Sequence, residues 1–355
     1  MQDNLHKDYI SYTRKKLLFI TITVLLLIFF ILVGITFGTV RITIGDIFSV
    51  FFGQSNEVNS QIILNIRLPR VLSAVLAGMA LSVSGAAMQS ILRNPLGSPF
   101  TLGISNAAAF GAAFAVIVFG AGSMHSNASD SVIFNNPYII TISAFFWSLV
   151  STFIILLMAK FKGATPETII LTGIVVGSLF IAATTGLQYF ADDIELASIV
   201  FWTFGDIGRA TWTDFIILLI VIVPAFLFFL KNRWNYNSLD SGDETAKSLG
   251  VNVERVRIWG MIVASLATSF AVSFFGIIAF VGLVVPHIVR RIIGSDERFL
   301  IPASAVFGGM FLLLSDTIAR TIISPIVLPV GILTSFIGAP LFIFLLIKGK
   351  GRSQW

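Results

Sequence analysis

The chain contains no cysteine, which excludes disulfides, thiolate chemistry and cysteine-ligated metals. Its three histidines, His6, His125 and His287, lie far apart in sequence and suggest no ligand cluster, so no metal site is expected. His287, which follows Pro286, reads as a packing or capping residue. No G-x-x-x-x-G-K-S/T phosphate loop occurs, so nucleotide chemistry, with its ATP and magnesium, would have to reside on another polypeptide. Charge is scarce too. Only 12% of the 355 residues are charged, about half the share of about 25% usual in soluble domains. The net charge of +5 is no nucleic-acid footprint; in so apolar a chain, surplus Lys and Arg report orientation.

Apolar residues are what the chain has in abundance: 56% of it is hydrophobic, and Phe alone fills 34 positions. No soluble fold can bury that much, so lipid is the expected solvent and the first partner. Runs of about 20 apolar residues mark spans: Leu17–Phe37, Val71–Leu92, Thr101–Phe119, Tyr138–Ala159, Thr168–Phe190, Trp212–Leu230, Leu300–Ile318 and Leu328–Ile347. The first is long enough to span and lacks an obvious cleavage site, unlike a signal peptide. The stretch Ile258–Val289 would be about 48 Å long as one helix, against a hydrocarbon core of about 30 Å. Two short spans with a turn near Phe275-Gly276 fit better, for ten spans in all. With Lys7, Arg14, Lys15 and Lys16 in the cytoplasm, ten spans place 18 of the 23 basic residues inside. The expected fold is therefore all-α and membrane-embedded, with both termini cytoplasmic. Arg41, Arg67, Arg70, Arg209 and Arg320 are the exceptions.

A polar island, "DSGDETAKSLGVNVERVR" (240–257), interrupts this pattern. Asp243 and Glu244 suit a helix amino terminus, Lys247 follows late, and Gly250 is a plausible stop. Ala246 and Leu249, three apart, are expected on one face. An ordinary solvated loop with one helical turn and a docking helix for a cytoplasmic partner both fit.

The segment "GDETAKSLGVN" (242–252) resembles the cytoplasmic coupling segment of FecCD-type permeases, the membrane subunits of ATP-binding-cassette (ABC) importers for iron chelates, haem and cobalamin. So do "IRLPRVLSAVLAGMALSVSGAAMQSILRNPLGSPFTLGISNAAAFGA" (66–112), "FGIIAFVGLVVPHIVRRIIG" (275–294), "LLLSDTIAR" (312–320) and "LPVGILTSFIGAPLFIFLL" (328–346), in family order over nearly the whole chain. Ser241 departs from the pattern, an apolar residue being more usual there. The resemblance implies a single permease domain over residues 1–355, a coupling segment at about 240–252, and ten helices. It also implies two copies of a cytoplasmic ATPase, an extracytoplasmic substrate-binding protein and a second permease subunit, in the cytoplasmic membrane of a prokaryote. The coupling residues would be Gly242, Asp243, Glu244, Ala246, Leu249 and Gly250.

Arginines on the external side call for a reason. For Arg41 and Arg209, snorkelling or pairing with nearby acids such as Asp46, Glu57 or Asp316 is preferred. Arg67, Arg70 and Arg320 stand in "RLPR" and "DTIAR", where similar permeases receive glutamates of the binding protein; bidentate guanidinium pairing suits that task. "RNPLGSP" (93–99) reads as a tight turn, and the resemblance adds Asn94 and Leu96 as gate residues, with a second gate at Thr165 and Pro166. Gly173 and Gly177 read as helix-packing residues. Gln188 is harder to explain by packing, and its helix lines the translocation path in similar proteins. Residues 196–212 are expected to form a short outer helix, in which Phe201, Trp202 and Phe204 read as interfacial anchors. Gln89 and Asn106, polar inside spans, need partners on neighbouring helices.

The alternative from another class is an ion-coupled secondary transporter, disfavoured because no ionisable residue falls well inside a span. A membrane enzyme would need clustered acids or histidines, and none is evident. Cargo is less constrained. A ferric siderophore is favoured, with haem and cobalamin as alternatives, and the partner permease is a second copy or a similar subunit.

Overall fold

The computed structural model describes residues 2–38, 40, 42–52, 56–123, 133–134 and 137–348. The readings made for Arg41, His125 and the His6 side chain fall outside the described residues. Helix α1 (Gln2–Thr36) is followed by α2 (Ile44–Phe51) and α3 (Glu57–Gln61), which runs through a π-helical turn (Ile62–Arg67) into α4 (Leu68–Leu92). Then come α5 (Ile104–Val118), α6 (Pro137–Lys162), α7 (Pro166–Phe190), α8 (Asp193–Thr203) and α9 (Trp212–Asp240). The chain closes with α10 (Asp243–Ser248), α11 (Val253–Phe275), α12 (Val281–Ile293), α13 (Glu297–Thr321) and α14 (Val330–Lys348). Gly122–Ser123 pairs antiparallel with Ile133–Phe134, a minimal ladder beside α5 and α8.

Seven of these helices are long and apolar enough to cross a membrane, and two shorter apolar helices, Ile104–Val118 and Val330–Leu345, accompany them. The chain is thus a multi-pass helical membrane protein. The break expected near Phe275-Gly276 is present: Gly276 (φ 76°) ends α11, and Phe280 (φ 67°) precedes α12. Several helices run past their apolar stretches. Helix α1 has 35 residues, about 52 Å, and α9 continues from Leu230 to Asp240. Hydropathy marks where lipid begins and ends, whereas the backbone stays helical in water as long as each turn continues to find partners.

Helix α4, the most deeply buried of the candidate spans, packs against α13, α9, α11 and α12. Backbone meets backbone at two crossings. A Cβ on Gly78 would collide with the carbonyl of Gly308, and one on Gly85 with that of Gly282. With no hydrophobic force between helices in lipid, such close approach maximises dispersion contact. Gly173 and Gly177 do the same for α7, lying against Leu102, Gly103 and Asn106. Around this centre, α1, α7 and α9 turn exposed faces outward, exemplified by Leu25 and Phe29, Leu171 and Leu179, and Ile220 and Leu227. Trp202 corrects the anchor reading: it is fully buried, whereas its neighbour Phe201 is exposed. On an α-helix successive side chains point about 100° apart, so Phe201 can lie at the surface while Trp202 turns into the core.

Gly85→Ala is expected to lower the thermal midpoint in detergent by an amount equivalent to about 1–3 kcal/mol, because the helices must separate. Gly186→Ala, where a Cβ meets nothing within 4 Å, is expected to leave it unchanged or slightly raised. Fluorescence-detected size-exclusion melts of the two variants measure both.

Candidate functional site

Polar side chains collect at the two ends of the bundle. At one end lie the start of α4, the end of α1 and the end of α13. Asp316 is fully buried there and sits between two guanidinium groups. Arg70 Nε donates to its two oxygens at 3.1 and 3.0 Å, and Arg70 Nη2 to Oδ1 at 2.7 Å. Arg320 Nε lies 3.1 Å from Asp316 Oδ2, close enough for charge pairing though not aligned as a hydrogen bond. The remaining donors serve the last turn of α1, whose carbonyls lack partners within the helix. Arg320 Nη2 donates to Gly34 at 3.1 Å and Arg320 Nη1 to Phe37 at 3.3 Å; Arg67 donates to Ile35, Thr36 and Val40. Two cations at a helix carboxyl terminus also suit its dipole.

Arg67, Arg70 and Arg320, the residues expected to receive a binding protein's glutamates, all lie at this end. They are largely buried, and each is taken up by internal acceptors. Buried in the protein, those carbonyls need internal donors, and the arginines supply them. Arg70 Nη2 also lies 3.9 Å from Asp206 Oδ1, and Arg209 Nε donates to the backbone carbonyl of Asp206 at 3.4 Å.

The other end carries the island. Gly242 (φ 112°) leads into α10, Asp243 and Glu244 occupy its first turn, Lys247 its last, and Gly250 (φ 83°) lies just beyond. Ala246 and Leu249 do not share a face: Ala246 is fully buried, and Leu249 is 67% exposed. The helix ends at Ser248, one residue before helical spacing would have aligned them. The outward surface is Glu244, Thr245, Lys247, Ser248 and Leu249.

Arg257, not singled out by sequence, organises this end. It is 3% exposed. Its Nη1 and Nη2 donate to the carboxylate of Asp243 at 2.8 and 2.7 Å, Nε donates to the Ile91 carbonyl at 3.1 Å, and Nη1 to the Ala164 carbonyl at 3.1 Å. Both turns named as gates adjoin those carbonyls. After Ile91, Arg93 is left-handed (φ 46°), and Asn94 folds the turn by accepting from Leu96 N at 2.8 Å and donating its own N–H to Gln89. After Ala164, Thr165 caps α7, accepting from Thr168 N at 3.2 Å, with Pro166 in the first turn. Leu96 and Thr165 are exposed; Gln188 is half-buried in the last turn of α7.

Beside α10 a second buried set ties five helices. Glu297, wholly buried, accepts from Ser90 Oγ at 2.8 Å and pairs with Arg290 Nη2 at 3.3 Å. Gln89 Nε2 donates to the Leu283 carbonyl at 3.2 Å, so the partner expected on a neighbouring helix is present. Asn237 bridges Glu297 N and Asp296, and Lys16 reaches Asp296 at 3.7 Å. Burial pushes the Asp296 carboxyl up, but hydrogen bonds from Arg298 and Asn237 outweigh it and hold it at about 2. His287 packs its ring edge-on to Phe342, as a packing residue does. Among the described residues no group of His, Cys, Asp or Glu could hold a metal ion. Asp316 and Glu297 are more deeply buried than hydropathy implied, yet each faces an arginine, as structural ion pairs do.

The chain folds as a many-helix membrane bundle with a short polar helix at one end. The model of the FecCD transport family matches residues 26–348. A Methanocaldococcus jannaschii chain named for an ABC transporter permease is 53% identical over 96% of this chain and 97% of its own. The hemin transport system permease of Yersinia pestis is 37% identical over 84% and 86%. A solved structure described as an inward-facing, metal-chelate-type ABC transporter superposes with a TM-score of 0.81 at 29% identity, covering 93% of this chain and 98% of that one. The chain belongs to the FecCD transport family, whose members are membrane permeases of ABC transporters.

Asp316→Asn takes the paired carboxylate from the buried Arg320 and leaves Arg70 only the more distant, partly exposed Asp206, and is expected to cost about 3–5 kcal/mol; the loss of thermal midpoint measures it. An unfolded Asp titrates near about 3.9. The stabilisation from Asp296, whose folded carboxyl is depressed, is therefore complete above that value and lost as pH falls through about 2. Asp296→Asn is accordingly expected to lower the midpoint near neutral pH and to lie closer to the parent at about pH 3.

Proposed function

We propose that this chain is the permease subunit of an ABC importer that carries an iron chelate across a prokaryotic cytoplasmic membrane, most specifically a ferric siderophore. The observation that carries the reading is α10. It is a short helix, anchored by Asp243 to Arg257 beneath it, presenting Glu244, Thr245, Lys247, Ser248 and Leu249 outward at the end where basic residues concentrate. Such a surface suits a partner's cleft, and membership of the FecCD family supports an ATPase, taken as two copies, as that partner. ATP and magnesium would be bound there, and this chain would bind no cofactor.

In this reading ten segments span the membrane: the seven long helices, the shorter α5 and α14, and α12, completed through the break after Gly276. Both termini and α10 face the cytoplasm, and the Asp316 end faces outward. Two permease subunits, taken as copies of this chain, line a path between them. Asn94, Leu96, Thr165 and Pro166 stand at its inner gate, and Gln188 stands higher along it. An extracytoplasmic binding protein docks on the Asp316 end, where Arg67, Arg70 and Arg320 supply positive charge and would have to exchange internal acceptors for the partner's carboxylates. A relative named for hemin supports haem as the second cargo reading.

The test uses a photo-crosslinker at Leu249, which is exposed, with Ala246, which is buried, as the control position. The expected product in native membranes is an adduct between Leu249 and a protein bearing a phosphate-loop motif. Adducts to lipid or to this chain alone, in an intact complex, would overturn the proposal.

A further inference from the structure

We propose that Arg257 is the positioning residue that couples α10 to both gate turns at once. The inference rests on the reading of α10 as the ATPase contact. One planar guanidinium holds three different segments: the carboxylate of Asp243 in α10, the Ile91 carbonyl in the last turn of α4, and the Ala164 carbonyl just before the Thr165 cap. Among the described residues, Asp243 supplies the only side-chain hydrogen bond from α10 to another element. The rest of that short helix either faces outward or, like Ala246, packs by apolar contact. A pull on α10 therefore reaches the bundle through this charge-paired, directional contact as well as through its backbone links to α9 and α11.

The geometry explains why the point is an arginine. The fork of the guanidinium fixes its acceptors relative to one another, whereas an ammonium is a point charge on a flexible stem. The Ile91 carbonyl is one of the four at the end of α4 with no intrahelical donor. Gln89 and Ser90, its neighbours, are satisfied by the backbone N–H groups of Asn94 and Arg93. Arg257 thus completes the same cap that folds the Asn94–Leu96 turn. Displacing the guanidinium loosens that cap and the approach to Thr165 together, so the two turns respond as one element. Asp243 is the exposed end of the clamp, its side chain 34% accessible against 4% for Arg257, which places it where a partner's movement reaches first.

The chain lacks cysteine, so label pairs can be introduced without background. The experiment uses the complete complex with its ATPase in nanodiscs, with and without ATP and vanadate. Spin-label distances are read from Ser248 in α10 to Thr213 at the far end of α9, and from Lys162 beside the Ala164 turn to Thr213. In the parent complex both distances are expected to shift with nucleotide. In Arg257→Lys, which keeps the charge but not the fork, the Ser248 shift is expected to persist and the Lys162 shift to fall to less than about half, with ATP hydrolysis within about twofold of the parent. Asp243→Asn, altered at the accessible end, is expected to lower the Lys162 shift relative to the Ser248 shift in the same way, whatever its rate of ATP hydrolysis, and serves if the buried variant does not assemble. A Lys162 shift of parental size in both variants overturns the inference. So does parallel loss of both shifts and of hydrolysis, which is the mark of a purely structural residue. Absence of a Ser248 shift in the parent complex itself would instead sink the reading of α10 as the ATPase contact.

Discussion

A helix end buried inside a protein must find its hydrogen-bond partners there, because water does not reach it. Much of the polar chemistry in this chain follows from that constraint. Arg67 and Arg320 close the last turn of α1, and Arg257 completes the last turn of α4. Asn94 and Thr165 close the turns that follow α4 and precede α7. Arg320 and Arg257, once fixed by carbonyls, also need charge compensation, and Asp316 and Asp243 stand where that need arises. The residues that end helices are thereby the residues that connect them.

Between the two ends, α4 is the axis. Its small residues let α13 and α12 approach backbone to backbone, and its two termini enter the two polar clusters. A close-packed interior transmits displacement instead of absorbing it, so a movement imposed at the Asp243 end has a stiff element running towards Asp316. The peripheral helices α1, α7 and α9 keep broad apolar faces outward, available to lipid or to a second subunit.

Burial of the three motif arginines gives the Asp316 end a built-in alternative. A carboxylate brought from outside would compete with Asp316 and with the carbonyls of α1 for the same donors, so that binding there would be an exchange of partners. Because those donors also hold α1, α4 and α13 together, the exchange would be felt in the packing of the bundle and not only at its surface.

Composition alone sufficed for the class of the molecule: 56% hydrophobic residues and 12% charge leave lipid as the only workable solvent. Motif order pointed to the family, and length against bilayer thickness located the break at Phe275-Gly276. Hydropathy could not show that α1 and α9 continue past the apolar runs, because helix persistence in water depends on partners and not on greasiness. Periodicity placed Ala246 and Leu249 together and so missed that α10 stops between them. Arg257 was invisible for a different reason. In sequence it is one more cytoplasmic cation among several, and its acceptors lie 14, 93 and 166 positions away. The sequence by itself determined the solvent, the helices and the family. Only the tertiary structure decided which charges are buried and whom they hold, because pairing across elements depends on distances that no linear pattern records.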